Sequence, residues 1–289
     1  MIPPAAAARL VRYDGRNRGG HMSVGSIGSS GPAQLSSIQT RQVTTLAQIS
    51  SGQRITRAGI DPAGAAIVAE LDTEALSQRA AIRNSNDGMS LIQTAESAAS
   101  SSVDQLQRLR ELAMQAASGT TSADSRAILQ READQIVEEL DAQAARTEFN
   151  GVNVADGSVG SVDVQTGTGS TDQTAVDLLD LTTGGLGLGG IDLTTAAGAQ
   201  SALDSIDAAL DNVNEGRSNL GASQNRLESA IAYGEQAALN TEAASSQIGD
   251  TDFLQAFIDN GNQSVQQKAA IFSMAQARNI NRVAVQGLL

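Results

Sequence analysis

The side chains that most often carry catalysis are scarce in this sequence. Its 289 residues include no cysteine and one histidine, His21. A Ser-His-Asp triad needs a histidine held beside its nucleophile, and His21 lies in a segment predicted to be disordered. A His-Glu-x-x-His zinc site needs two histidines, so neither arrangement is expected. Carboxylates are abundant, but a catalytic pair also needs a concave site that raises the pKa of one of them. We therefore expect no catalytic residues, no metal site, no cofactor and no enzymatic activity.

One glycine-rich stretch invites comparison with a phosphate-binding loop. Residues 184–190 have the sequence GGLGLGG. A P-loop ends in Lys followed by Ser or Thr and lies between a strand and a helix, whereas this stretch meets neither condition. We predict a flexible turn at this position instead.

The composition restricts the classes of partner. Acidic residues outnumber basic residues by 32 to 19, which gives a net charge of −13 and argues against nucleic acid as a partner. No apolar run approaches the roughly 20 residues that a membrane-spanning helix needs. The N-terminus also lacks the pattern of a cleaved secretory signal. We expect neither a nucleic-acid nor a membrane partner, and export would use another route.

The sequence predicts long helices, which would position any functional residues of the chain. Residues 67–117 contain almost no helix breakers, and their apolar residues recur three and four apart. A helix of this length would extend roughly 75 Å, which is too long for a compact globule. The Asn-Asp-Gly tripeptide at 86–88 is predicted to stay helical because helical spacing continues on both sides. The heptad stripe of this helix comprises Ile82, Met89, Ile92, Ala99, Val103, Leu106 and Ala113.

Two further helices are predicted to cover the long helix. Residues 122–145 follow it after a short loop, so we expect that second helix to lie antiparallel to it. Another heptad pattern begins near residue 199 and supplies the partner that the long stripe requires. Its members are Leu203, Ile206, Leu210, Val213, Leu220, Leu227, Ile231, Ala238 and Ile248.

The two ends of the chain are predicted to pair with each other. Helical patterns occupy residues 35–49 and 253–289, and the apolar stripe of the second helix, Val265, Ala269, Phe272, Ile280 and Val283, is predicted to meet the first helix. Apolar residues also occur on other sides of the second helix. Such a helix must be buried by several neighbours, which other copies of the chain would supply in an open filament. A monomer that binds another partner through its terminal helices fits the same pattern, so both alternatives stay open here. The predicted self-assembly residues are Leu35, Ile38, Leu46, Ile49, Val265, Phe272, Ile280 and Val283.

Together these patterns predict a mainly α fold. It is a long antiparallel, coiled-coil-like helical rod with paired N- and C-terminal helices and a small central β-hairpin and loop region. Residues 1–34 are predicted to be disordered, with Met22 as a second candidate start. The predicted domains are a terminal-helix filament-core domain (35–57 with 252–289), a helical rod domain (58–150 with 198–251) and a short surface-exposed variable region (151–197).

Several short motifs resemble those of the bacterial flagellin family. Their order and spacing make the sequence similar to flagellins over about residues 35–149 and 204–289. The motifs are residues 49–55 (ISSGQRI), 58–67 (AGIDPAGAAI), 83–90 (RNSNDGMS), 106–115 (LQRLRELAMQ), 147–151 (TEFNG) and 220–227 (LGASQNRL).

The resemblance implies a structural subunit of the bacterial flagellar filament. Such a subunit is exported through the flagellar type III channel and self-assembles into a helical propeller for swimming motility, so a secreted, extracellular location in the filament is expected. By the same analogy its partners are further copies of itself, a flagellar export chaperone, the filament cap and hook-associated proteins. A hook-filament junction protein is the alternative within the same superfamily.

The resemblance also implies two groups of surface residues. A vertebrate Toll-like receptor senses flagellins through the rod, and the matching positions here are Gln107, Arg108, Leu112 and Glu132. Hydroxyl side chains of the central region are candidate O-glycosylation sites by analogy. They are Ser158, Ser161, Thr166, Thr168, Ser170 and Thr171.

Overall fold

The structure, a computed structural model, describes residues 27–286. Helices predominate among them and the strands are short, which confirms the predicted mainly α class. The chain divides into two units: unit 2 spans residues 61–249, and the described part of unit 1 comprises residues 27–60 and 250–286. In chain order the elements are α1 (Ile27–Ser51), α2 (Pro62–Ala117), α3 (Ala123–Arg146), β1 (Glu148–Phe149), β2 (Val152–Asn153), β3 (Ser161–Gln165), β4 (Gln173–Asp177), α4 (Ala196–Gly249) and α5 (Phe253–Gln286).

The first helix starts earlier than its sequence suggests. The prediction of disorder is wrong for residues 27–34, since α1 begins at Ile27. Gly and Ser each cost a helix about 0.5–1 kcal/mol relative to Ala and Pro32 costs about 3 kcal/mol, so α1 begins here against the local propensity. Ser36 and Ser37 donate hydrogen bonds of 2.9 and 2.8 Å to backbone carbonyls three residues earlier, and so satisfy their hydroxyls within the helix.

The start of α2 is fixed by a capping residue. The Asp61 carboxylate accepts a hydrogen bond of 2.9 Å from the Gly64 N–H, and Pro62 occupies the first helical position, where its missing N–H costs nothing. From there α2 continues without interruption to Ala117. The prediction that residues 86–88 remain helical is therefore confirmed.

In unit 2, α4 lies antiparallel along α2, as predicted. Near one end of the pair Val68 lies against Gly249, and near the other Arg110 Nε donates to Asp207 Oδ1 at 2.7 Å. Most of the predicted heptad positions are buried between these helices, among them Ile92, Leu106, Ile206, Leu220 and Leu227.

The third helix covers the C-terminal half of α2. Ser122 caps α3 by accepting a hydrogen bond of 3.2 Å from the Ser125 N–H. Arg126 Nε donates to the Ala116 carbonyl at 2.7 Å, while Gln143 Nε2 donates to the Ala98 carbonyl at 3.1 Å. These two contacts show that α3 lies antiparallel to α2, as predicted from the short loop.

Two small hairpins follow α3. In the first, β1 and β2 are joined at Asn150 and Gly151, whose φ angles of 51° and 78° suit a tight turn. In the second, β3 and β4 pair antiparallel from Ser161 opposite Asp177 to Gln165 opposite Gln173. The second hairpin packs on α2 and α4.

The segment between α3 and α4 is only partly on the surface, so the prediction of a surface-exposed region at 151–197 is wrong for its buried apolar residues. Single apolar residues lie among its Gly, Ser and Asp residues and face the helices. The glycine-rich stretch is a turn, as predicted, but Leu186 and Leu188 within it pack into the core of unit 2. The eight buried apolar residues of the segment are Val154, Ala155, Val164, Val176, Leu181, Leu186, Leu188 and Leu193.

None of the helices within the described residues combines the length and the apolar character that crossing a bilayer requires.

Candidate functional site

The candidate site is the helix pair of unit 1. Gly52 ends α1 in the left-handed region, with a φ of 74°, and its N–H donates to the Gln48 carbonyl at 2.9 Å. The Asp252 carboxylate begins α5 by accepting hydrogen bonds of 2.9 and 3.1 Å from the N–H groups of Leu254 and Gln255. The Thr251 N–H donates to the Gly52 carbonyl at 2.9 Å and Gln263 Nε2 donates to Thr45 Oγ1 at 3.1 Å, so α5 lies antiparallel to α1.

The seam between α1 and α5 is made largely of small and polar side chains. The buried and half-buried residues of α5 recur four and three apart, as in a heptad stripe. On α1 the corresponding stripe includes Leu35, Ile38 and Ile49, which are half-buried, and Thr45, which is buried. The members of the α5 stripe are Ala256, Asn260, Gln263, Gln267, Ala270, Met274 and Ala277.

Four large apolar residues of α5, Val265, Phe272, Ile280 and Val283, lie on the opposite face. Val265 and Phe272 are 67% and 72% exposed. Two residues correspond to about 200° around a helix, so Val265 lies almost opposite Gln263. The prediction that the stripe of Val265, Phe272, Ile280 and Val283 meets α1 is therefore wrong, because the amide and small side chains occupy that side. The exposed large apolar residues of unit 1 are Val43, Leu46, Ile60, Phe253, Leu254, Phe257, Ile258, Val265, Ile271, Phe272, Ile280 and Val283.

The polar seam holds the helix pair weakly. Asn260 Oδ1 and Gln263 Oε1 are buried and accept no hydrogen bond from any residue that the structure describes. Each such acceptor costs about 1–3 kcal/mol. The pair thus combines an imperfectly satisfied seam with an apolar outer face, which is the reverse of an isolated amphipathic helix pair.

Charge is distributed unevenly between the two units. Among the described residues of unit 1, six side chains are basic and three are acidic, which gives a net charge of +3. Unit 2 carries 9 arginines and 28 acidic side chains, a net charge of −19. The helix pair of unit 1 therefore lacks the negative charge that would oppose its burial against further copies.

The four residues of the predicted receptor patch lie on α2 and α3, and one of them is buried. Gln107 and Arg108 are exposed, and Arg108 Nη2 donates to Glu132 Oε1 at 2.6 Å. Hydrogen bonds to Glu132 and then Glu111 raise the pKa of Arg108 above its ordinary value. Leu112 is only 2% exposed, because it points into the core of unit 2, and it cannot belong to an exposed patch.

The candidate glycosylation residues differ in how their hydroxyls are used. Thr168 Oγ1 donates to Glu74 Oε1 at 3.1 Å, and Ser158 Oγ donates to Asp156, whose pKa this bond holds below its usual range. Thr166 is half-buried and donates to the Asp172 carbonyl at 3.2 Å. The three remaining hydroxyl residues, Ser161, Ser170 and Thr171, are exposed.

No catalytic or metal arrangement was predicted. Among residues 27–286, no three His, Cys, Asp or Glu side chains are placed to share a metal ion. His21 and the candidate start at Met22 lie outside the described residues.

Comparison with known proteins follows the same two halves of the chain. The bacterial flagellin N-terminal helical region matches residues 29–159, and the bacterial flagellin C-terminal helical region matches residues 203–287. A flagellin from Halalkalibacterium halodurans is 39% identical over 241 residues, which cover 83% of this chain and 89% of the relative. The flagellar filament core protein flaB2 of Brachyspira hyodysenteriae is 35% identical over 257 residues, covering 83% of this chain and 90% of the relative.

Solved structures add one comparison of similar identity. The crystal structure of Bacillus cereus flagellin has 31% sequence identity and a TM-score of 0.48, and the match covers 53% of this chain and 88% of that chain.

Proposed function

Since the chain belongs to the bacterial flagellin family and is a subunit of the flagellar filament, we propose that α1 and α5 form its main polymerisation surface. The observation that carries the proposal is the outward face of α5, where Val265 and Phe272 are exposed although they are large and apolar. An apolar face of this extent is typical of a surface that another molecule covers.

The energetics favour covering this face with further copies. Burying one large apolar side chain contributes about 1.5–3 kcal/mol, and several of them line α5. The same gain offsets the cost of the unsatisfied acceptors in the seam between α1 and α5. A contact between unlike faces of successive copies extends into an open helical filament when its rotation does not close into a ring.

The predicted domains enter this proposal unchanged in role. Residues 35–57 with 252–289 would build the filament core, and residues 58–150 with 198–251 would surround it as the rod domain. Residues 151–197 would contribute their exposed side to the filament surface.

A deletion tests the proposed polymerisation surface. Purified protein from Met22 onward should form filaments after seeding, and the same protein lacking residues 265–289 should not. Negative-stain electron microscopy reports the result, and circular dichroism of the shortened chain checks that its remaining helices are folded. Filaments formed equally well by the shortened chain would contradict the proposal.

We further propose that the subunit is secreted through the flagellar export channel, with an export chaperone, the filament cap and hook-associated proteins as partners. Membership of the flagellin family supports this proposal. In the native host, blocking the flagellar export apparatus should retain the chain inside the cell. Its appearance in the medium at normal levels would contradict this route.

Recognition by a vertebrate Toll-like receptor is a separate proposal. Gln107, Arg108 and Glu132 carry it, and the ion pair between the latter two orders a charged patch on adjacent helices. In a receptor reporter assay, monomer with Arg108→Ala should give a weaker response than wild type, while Arg226→Ala, at an exposed position of α4, serves as control. Equal responses to wild type and Arg108→Ala would refute the proposal.

O-glycosylation of the central region is also proposed. Ser170 and Thr171 are the most suitable candidates, because both are exposed at the tip between β3 and β4. Mass spectrometry of filaments from the native host should find hexose-type mass additions on the peptide that contains them. Unmodified peptide alone would contradict it.

A further inference from the structure

A small cavity in unit 2 is unrelated to the polymerisation surface. It has a volume of about 140 Å³ and lies where the loop between β3 and β4 meets α2 and α4. Its polar lining includes Glu74, Gln78, Asp172 and Tyr233. Two of these side chains are carboxylates, one is an amide and one is aromatic.

The loop that forms one wall is braced from within. The N–H groups of Thr166 and Gly167 donate to the Asp172 carbonyl at 2.9 and 3.2 Å. Gln165 Nε2 donates to the carbonyls of Gly167 and Gly169 at 2.9 and 2.6 Å. A Cβ at either glycine would lie under 3 Å from the Asp172 side chain, at 2.7 and 2.8 Å. The Gly169 N–H also donates to Asp172 Oδ2 at 2.9 Å, so the loop fixes the Asp172 carboxylate and uses one of its acceptor positions.

The opposite wall presents an acceptor with no donor. Gln78 Nε2 and Thr168 Oγ1 each donate to Glu74 Oε1 at 3.1 Å. Gln78 lines the cavity, and because its amide nitrogen donates to Glu74, its amide oxygen remains as an acceptor. That oxygen is buried and has no hydrogen-bond partner in the described part of the chain. A donor entering the cavity would satisfy it.

The two carboxylates also lack a positive partner. Neither Glu74 nor Asp172 forms an ion pair with any residue between 27 and 286. The net charge of −19 on unit 2 strengthens the attraction of a cation to them.

We propose that this cavity binds a primary alkylammonium group. An ammonium has three N–H donors and no acceptor, which matches the acceptors of Glu74, Gln78 and Asp172. Tyr233 also lines the cavity, and an aromatic ring within reach of an ammonium group attracts it through a cation–π interaction. A cavity of about 150 Å³ holds a molecule of the size of benzene, so the volume here suits an amine with about four carbons.

Calorimetric titration of the full chain, kept monomeric at fixed ionic strength, tests the proposal with n-butylammonium chloride as the probe. We expect saturable binding at one site and none of n-butanol, which has the same chain but no charge. Glu74→Gln keeps the shape of the side chain and should weaken binding about tenfold or more. Asp177→Asn removes an exposed carboxylate of the same hairpin that does not line the cavity, and should leave binding unchanged.

Two results would overturn the proposal. One is the absence of saturable binding by the wild-type chain. The other is equal weakening by Glu74→Gln and Asp177→Asn, which would show counterion attraction to an acidic surface and no specific site.

A second titration distinguishes a small free amine from a lysine side chain of another polypeptide. Its probe is Nα-acetyl-lysine N-methylamide. Affinity equal to that of n-butylammonium assigns the site to lysine side chains, whereas binding of n-butylammonium alone assigns it to free amines.

Discussion

Gly88 lies where α2, α4 and β3 meet, and its missing side chain permits their close approach. A Cβ at this position would lie 3.0 Å from Val164 and 3.1 Å from Leu227. Both neighbours are buried, so neither can move into solvent. The sequence predicts that the helix continues through this glycine, because apolar spacing persists on both sides. It does not predict the reason for the glycine, since both neighbours are distant in sequence.

Gly88→Val should destabilise unit 2. The added branched side chain overpacks a buried junction, which typically costs about 1–3 kcal/mol. Thermal unfolding followed by circular dichroism should therefore show a lower melting temperature. The matched control is Gly221→Val in α4, where an added Cβ meets nothing within 4 Å. Equal melting temperatures for both variants would contradict the packing role of Gly88.

Leu112 is buried although its residue type fits a surface motif. A family motif places it in a receptor patch by residue type, but its exposed fraction depends on α3 and on the segment that packs around it. Residue type is thus transferable from a motif, whereas exposure is a property of the folded unit.

Among the elements, α5 shows most clearly what the sequence could and could not predict. Its helical character follows from spacing, and the prediction that it pairs with α1 is confirmed. The prediction of which side of α5 meets α1 is wrong, because the seam uses Asn260, Gln263 and Gln267 where a heptad pattern leads one to expect apolar residues. When apolar residues occur on several sides of a helix, periodicity alone does not identify the side that meets its partner.

Asn260→Leu should stabilise the pair of α1 and α5 in the monomer. The change removes a buried acceptor without a partner, Asn260 Oδ1, and adds apolar surface to the seam. A gain of about 1–2 kcal/mol would slow amide hydrogen exchange in these helices about tenfold. Asn262→Leu, at an exposed position of the same helix, is the control. Unchanged or faster exchange in Asn260→Leu would contradict the account of the seam.

The segment between α3 and α4 illustrates the opposite error. Its abundance of Gly, Ser, Thr and Asp predicts loops and hairpins, which the structure confirms, but it also suggests full exposure. Burial there depends on single apolar residues such as Leu181, Leu188 and Leu193, each of which packs against distant helices. Isolated residues of this kind carry no periodic signal.

For the whole molecule, charge separates by unit. The described part of unit 1 has a net charge of +3, and unit 2 has a net charge of −19. Polymerisation brings many copies of unit 2 close together, so their mutual repulsion opposes growth. The sequence predicts an acidic chain, but only the division into units shows which part bears the excess.

Salt should therefore promote polymerisation at low ionic strength. Raising sodium chloride from about 10 mM to about 150 mM shortens the screening length from about 30 Å to about 8 Å. The critical concentration, measured by sedimentation, should fall accordingly. Tetramethylammonium chloride should act alike, since screening depends on ionic strength. A critical concentration that is constant or rises with salt would contradict the role of repulsion.

If the outward face of α5 drives assembly, the critical concentration of Phe272→Ala should reveal it. Phe272 is 72% exposed in one copy, so the substitution should leave the monomer folded. If neighbouring copies bury this ring, its loss costs about 1.5–3 kcal/mol per contact. The critical concentration should then rise tenfold or more. Gln266→Ala, an exposed polar position on α5, should leave it unchanged. Assembly of Phe272→Ala at the wild-type critical concentration would contradict the account.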